Sequence, residues 1–279
     1  GSNDSQLSIS ANASRIGLRV SAPEIEAVDL RALVELDFFG GGSENAPTAR
    51  LRRAEMSVLW LRHDLELVAG QTWDLVQPLN PAQLNYMAAW FSGNIGYRRP
   101  QIQIHKGLTF GDDLHLSLAA GVSRTLGDPI FPTDVGSDSG NPTGQARLAL
   151  RAPGLRGGPM TLGVSGHIGE QECDSLATDI TTWSAGIDAS LPIHERVTLQ
   201  GEAWSGQAVC RYLGGIGQGV NPDLGRGIRA SGGWLALQTE PAPAWRVNLG
   251  AGLDDPLNQD LSPGQRSRIL EIRLAHDHP

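Results

Sequence analysis

Alternation with a period of two, repeated along nearly the whole chain, limits the possible folds more than any other feature. From residue 28 to 38, Val28, Leu30, Ala32, Val34, Leu36 and Phe38 share one face, and Asp29, Arg31, Leu33, Glu35 and Asp37 share the other. Successive side chains of a strand point to opposite sides, so this segment is a strand with one apolar and one polar surface. The pattern recurs in 15–20, 53–60, 65–70, 99–105 and 114–123, and more weakly in 145–152, 159–168, 181–191, 196–205, 226–238, 246–253 and 266–275. About thirteen strands are predicted.

The connections alternate in length. Short ones are expected at 21–26, 61–64, 106–112, 152–158, 192–196 and 240–244, and long ones at 40–48, 71–92, 126–144, 169–181, 207–225 and 254–264. Short turns on one rim and long loops on the other are the organisation of membrane-spanning barrels, whereas a soluble sandwich has no reason to sort its loops. No apolar run is longer than the six residues 86–91. A spanning helix needs about 20, so no helix of this chain crosses a bilayer. Hydrophobic residues make up 40% of the 279-residue chain and mean hydropathy is -0.20, the averaging expected when lipid-facing and lumen-facing residues alternate. Glycine at 35 residues and proline at 17 suit many strands and turns.

A soluble barrel would turn the apolar face inward. Thirteen strands enclose more space than these Ala, Gly, Val and Leu side chains fill, so the expected fold is all-β, a transmembrane antiparallel up-and-down β-barrel with a polar lumen. The whole of 1–279 reads as one barrel domain. Bacterial barrels close with an even number of strands; an odd count, and a terminal His276-Asp277-His278-Pro279 that reads as non-strand, predict one strand missing before residue 5 and two or more after residue 275. There is no secretory signal, and the opening Gly1-Ser2 is compatible with removal of one. The net charge of -8 argues against nucleic acid as a partner. Lys106 is the only lysine, so arginine carries nearly all the positive charge.

Within residues 50–104, the segments RLRRAEMSV, LELVAGQTWDLVQPLNP and YRRPQIQI resemble the DcaP-like porins, outer-membrane channels related more distantly to phosphate-selective porins. ASRIGLRVSAPE, LRALVELDFFGG and GLDDPLNQDLSPGQRSR are similar to that family's corresponding segments. The resemblance implies a 16-stranded barrel of which this chain supplies strands two to fourteen. It further implies a homotrimer in the outer membrane of a Gram-negative bacterium and passive diffusion of small anionic solutes such as dicarboxylates. No cofactor or metal is implied. The loops differ from the family in sequence.

In porins an inward-folded loop narrows the pore, and the resemblance places it at 71–92. Trp73, Asp74, Tyr86 and Trp90 are its candidate residues, and Leu84, Met87 and Phe91 are too apolar for a loop freely solvated. By parity the lumen receives Arg15, Arg19, Arg31, Arg53, Arg99, Arg147 and Arg151, with Arg229, Arg246 and Arg273 further on. Rows of arginine in a pore attract anions and grip carboxylates with two bonds. Against them stand Glu35, Asp37 and Glu55, with Asp29, Glu66, Asp188, Glu202 and Glu271, which neutralise arginines wherever adjacent strands pair them. Arg19, Arg31, Arg53 and Arg99 are the first candidates for selectivity. Trp60 and Trp245 beside short turns, and Trp73 and Trp183 near long loops, suit interfacial girdles.

Cys173 and Cys210 fall in two predicted long loops and are candidates for a loop-to-loop disulfide. Ser165 and His167 share a predicted lumen face, the one feature that suits the alternative of an outer-membrane hydrolase built on a barrel, yet no Gly-x-Ser-x-Gly elbow accompanies them and no enzyme activity is expected. The run from Gly214 to Gly219 precedes no helix, against a nucleotide cradle. Asp134, Asp138 and Asn141 lack the spacing of a calcium loop. The competing non-enzymatic reading is a non-conducting barrel with a structural or adhesive role.

Overall fold

The computed structural model describes residues 10–23, 25–43, 45–81, 89–127, 139–154, 158–173, 176, 178–242 and 245–277. It contains one sheet of thirteen strands in sequence order, every neighbouring pair antiparallel. They are β1 (Ile16–Ser21), β2 (Val28–Asp37), β3 (Arg50–Trp60), β4 (Leu65–Trp73), β5 (Arg98–Phe110), β6 (Leu114–Ser123) and β7 (Thr143–Ala152). Then come β8 (Met160–Cys173), β9 (Thr178–His194), β10 (Val197–Gln207), β11 (Arg229–Ala242), β12 (Trp245–Pro256) and β13 (Ile269–Asp277). Two short ribbons, 42–43 with 46–47 and 220–221 with 226–227, decorate long loops. Among the described residues β1 and β13 do not pair, so the sheet is open along that line.

The register keeps the alternating pattern in phase from strand to strand. Leu118 pairs with Leu148, Leu148 with Val164, and Val164 with Ile187. That row lies on the outer surface, where Val164 is 50% and Ile187 59% exposed. The facing residues are polar and buried: Gln101, Gln103, Gln145, Ser165, His167, Ser184 and Glu202. An apolar exterior around a polar interior is stable in lipid and unstable in water. The fold is therefore a transmembrane β-barrel sheet rather than a soluble barrel.

Two expectations about strand limits and one about parity are corrected. The connection expected at 169–181 is almost all strand, because β8 runs to Cys173 and β9 starts at Thr178. Cross-strand pairing outweighs the polar composition there. His276 and Asp277, expected outside any strand, continue β13 opposite Val247 and Arg246. Strict parity also breaks in β3, where the pairing with β2 jumps from Arg53 to Leu51 across a bulge. Leu51 and Met56, 44% and 65% exposed, both reach the outer face, and Arg52, 3% exposed, turns inward. One extra residue at a bulge reverses parity beyond it.

The long loops hold one another at their rim. Asp260, between β12 and β13, accepts hydrogen bonds from Arg229 Nε at 2.7 Å and Nη2 at 3.0 Å, and pairs with Arg226 at 2.7 Å. The hydrogen bonds from Arg229 hold the Asp260 carboxyl below the ordinary carboxylate range. A lowered pKa contributes stability above the unfolded value, lost as pH falls through the folded one. Protease cleavage within 221–228 is accordingly expected to stay slow at neutral pH and to accelerate only below roughly pH 4. Cleavage that accelerates equally in Asp260→Asn and unsubstituted protein removes this link.

Candidate functional site

The segment between β4 and β5 lies against the inner face of the sheet. Leu75 N–H donates to Gln145 Oε1 on β7 at 2.9 Å, Gln77 N–H to Ser165 Oγ on β8 at 3.1 Å, and Leu79 N–H to Glu202 Oε1 on β10 at 2.7 Å. Trp204 Nε1 on β10 donates to the Gly93 carbonyl at 2.8 Å. Gly93 has φ +110°, and a Cβ there would lie 2.1 Å from the Gly233 carbonyl oxygen on β11. Only glycine allows that approach. The segment is thus hydrogen bonded to β7, β8 and β10 through backbone groups that a buried loop must satisfy, and packs closely against β11.

A second segment folds inward beside it. Residues 208–219, between β10 and β11, bury Val209, Cys210 and Tyr212, and Val209 and Tyr212 pack with Val76, Ile95, Trp204 and Ala230. Gly96 N–H donates to the Tyr212 carbonyl and Phe91 N–H to the Leu213 carbonyl, each at 2.8 Å. Ile216 N–H donates to Asp254 Oδ2 on β12 at 3.1 Å. The sequence reading placed an inward element only at 71–92. The run Gly214–Gly219, rejected as a nucleotide cradle, belongs to this second segment.

The predicted arginines separate into two groups. Arg99 is 2% exposed, its Nε and Nη2 donating to Asp74 Oδ1 and Oδ2 at 2.8 and 2.9 Å. Arg147 donates to Asp188 in the same two-pronged way, at 3.3 and 2.6 Å. Arg50 and Arg52 pair with Asp37, and Arg52 also with Glu35. Arg52 sits one position off the simple parity, and only the doublet Arg52-Arg53 hints at a bulge. The other group stays in contact with solvent. Arg15, Arg19 and Arg151 are exposed; Arg31 lies beside Asp29, and Arg53 beside Glu55. Arg19, Arg31 and Arg53 line a cavity of about 340 Å³ with Glu55 and Glu66. Arg151 borders one of about 600 Å³ with Asp112, Asp113 and His115.

Trp73 and Tyr97 flank the Arg98 guanidinium at 4.5 Å each, and Trp90 meets Tyr97 edge to face at 5.6 Å. Tyr86, with Leu84 and Met87, lies outside the described residues, as do Asp134 and Asp138. Trp60 ends β3 and Trp245 opens β12 at short turns, while Trp73 ends β4 at the long-loop rim. The disulfide expected between Cys173 and Cys210 is not formed. Both are buried thiols, Cys173 packing with Ile180, Ala208 and Val220. The extension of β8 carries Cys173 into the wall instead of a loop. Ser165 accepts from Gln77, and His167 is hydrogen bonded to Ser184 at 2.7 Å and Thr182 at 2.9 Å. Ser165 and His167, which share the lumen face, are thus engaged with different partners. No group of three metal-ligating side chains occurs among the described residues.

This sheet, with its apolar exterior and its inward segments, has the fold of the outer-membrane porins. No protein-family model and no curated protein matches the chain. The outer membrane channel DcaP of Acinetobacter baumannii shares the fold with a TM-score of 0.77, at 14% identity, over 96% of this chain and 75% of that one. An anion-selective porin from Comamonas acidovorans matches with a TM-score of 0.61, at 18% identity, over 95% and 74% respectively. OmpF of Salmonella typhi, in a complex with daunomycin, matches at 0.64 and 10% identity, over 93% and 77%. The likeness to DcaP agrees in fold with the resemblance read from the sequence.

Proposed function

We propose that this chain is an outer-membrane porin of a Gram-negative bacterium, through which small polar and mainly anionic solutes, dicarboxylates among them, diffuse passively. One observation carries the reading. The segment between β4 and β5 rests on the inner faces of β7 to β11, while Arg19, Arg31 and Arg53 stay solvent-accessible on β1 to β3. A porin needs a narrowed passage with fixed charge beside it, and guanidinium groups suit carboxylates. In this reading 71–92 is the constriction loop, with Trp73, Asp74 and Trp90 bracing it, and three copies of the chain form the working channel. The anion selectivity named for the Comamonas acidovorans porin is compatible with this charge placement.

Planar-bilayer recording of the full-length protein tests the proposal. Discrete current steps, with a reversal potential under a salt gradient that favours anions, are expected. Folded protein inserted without current steps would point to the non-conducting barrel, and a cation-favouring potential would remove the anionic part.

A further inference from the structure

We infer that Arg99 is a positioning residue that clamps the two inward segments into a single body and takes no direct part in attracting anions. The inference rests on the channel reading for its meaning but not for its geometry. Arg99 stands at the start of β5, immediately after the first segment, and points into the contact between both. Its inner edge is bound to Asp74, the first residue of that segment. Its Nη2 reaches the carbonyl of Arg211 in the second segment at 3.2 Å. Its carbon centre lies 3.8 Å from the centre of the Tyr212 ring. Tyr212 stacks in turn on His167 of β8, with centroids 3.8 Å apart and planes 19° from parallel.

A column of guanidinium, phenol and imidazole therefore runs from β5 through the second segment to β8. Asp74 is further held by Gln145 Nε2 at 3.0 Å and by Tyr97 N–H at 3.0 Å. Every direction around the Arg99 charge is filled by protein. A cation so enclosed and so paired contributes little field to a passing solute, whereas a planar cation between a carboxylate and a ring is a strong and directional joint. The geometry assigns it to holding the constriction's shape, and the solvent-accessible arginines of β1 to β3 to selectivity.

Cys210 supplies a readout independent of conduction, because it is buried in the second segment and reports that segment's release. In a Cys173→Ser background of the full-length protein, Arg99→Met is expected to raise the rate of Cys210 modification by a small charged thiol reagent about tenfold or more. In bilayers the same variant is expected to show larger, noisier open-channel current at an unchanged reversal potential, with Arg99→Lys intermediate. Tyr212→Leu lies in a loop and leaves β5 untouched; it should reproduce both effects, and heat-modifiable migration on gels verifies folding of each variant. A shifted reversal potential with quiet, unchanged conductance in Arg99→Met would make Arg99 a selectivity cation and overturn the inference. Unaltered Cys210 reactivity in both variants would overturn it too. Failure of the channel reading would appear separately, as absence of current from the unsubstituted protein.

Discussion

Replacing Asp74 with Ala is expected to cost the folded protein roughly 3–5 kcal/mol. The reason is what the change leaves behind. Arg99 is 2% exposed and has its two-pronged partner in Asp74, so truncation strands a buried positive charge. Tyr97 N–H loses its Asp74 acceptor at the same time, and Gln145 Nε2 loses one of its two, keeping Ser123 Oγ. Urea unfolding of the full-length protein in phospholipid vesicles, followed by tryptophan fluorescence, measures the loss. Asp74→Leu combined with Arg99→Met should recover most of it, since removing both charges leaves none to desolvate. A single-residue cost under about 1 kcal/mol would place the pair in the class of exposed ion pairs and contradict the burial seen here.

The second large effect concerns charge. Exchanging Arg19, Arg31 and Arg53 together for Ser is expected to lower the anion-to-cation permeability ratio about tenfold, which reverses a modest anion preference. The cavity lined by these residues then keeps Glu55 and Glu66 without compensating cations. Arg31 and Arg53 lie beside Asp29 and Glu55, while Arg19 has no ion-pair partner among the described residues. Arg19→Ser alone should therefore account for the largest share. The effect should shrink as salt rises, because the screening length falls from about 10 Å at 0.1 M to about 3 Å at 1 M. A triple variant with an unchanged reversal potential at low salt would move selectivity away from β1 to β3.

Strand existence was legible because each strand carries its own signal. The alternation of Leu114, Leu116, Leu118 and Ala120 needs no knowledge of neighbours, and the strand observed there is Leu114–Ser123. Strand length was less legible. In Gly169–Thr181 the polar residues Glu170, Gln171 and Glu172 read as loop, yet they pair with β9. The missed inward position of Arg52 has a similar origin, since a bulge is a disagreement between two strands and appears in neither alone.

Except at the link after β8, where strand replaces most of an expected long loop, side-chain pattern alone sufficed for the all-β class, the thirteen strands, the short and long connections and the apolar face of each strand. These are local properties set by side-chain alternation and turn chemistry. What required the assembled structure is that a second segment folds inward beside the first, and that Arg99 is enclosed while Arg19 is not. Parity assigns both arginines to the same inner face. What separates them is which wall the two inward segments lean on, and that depends on contacts between residues as far apart as Arg99 and Tyr212, for which no local pattern exists.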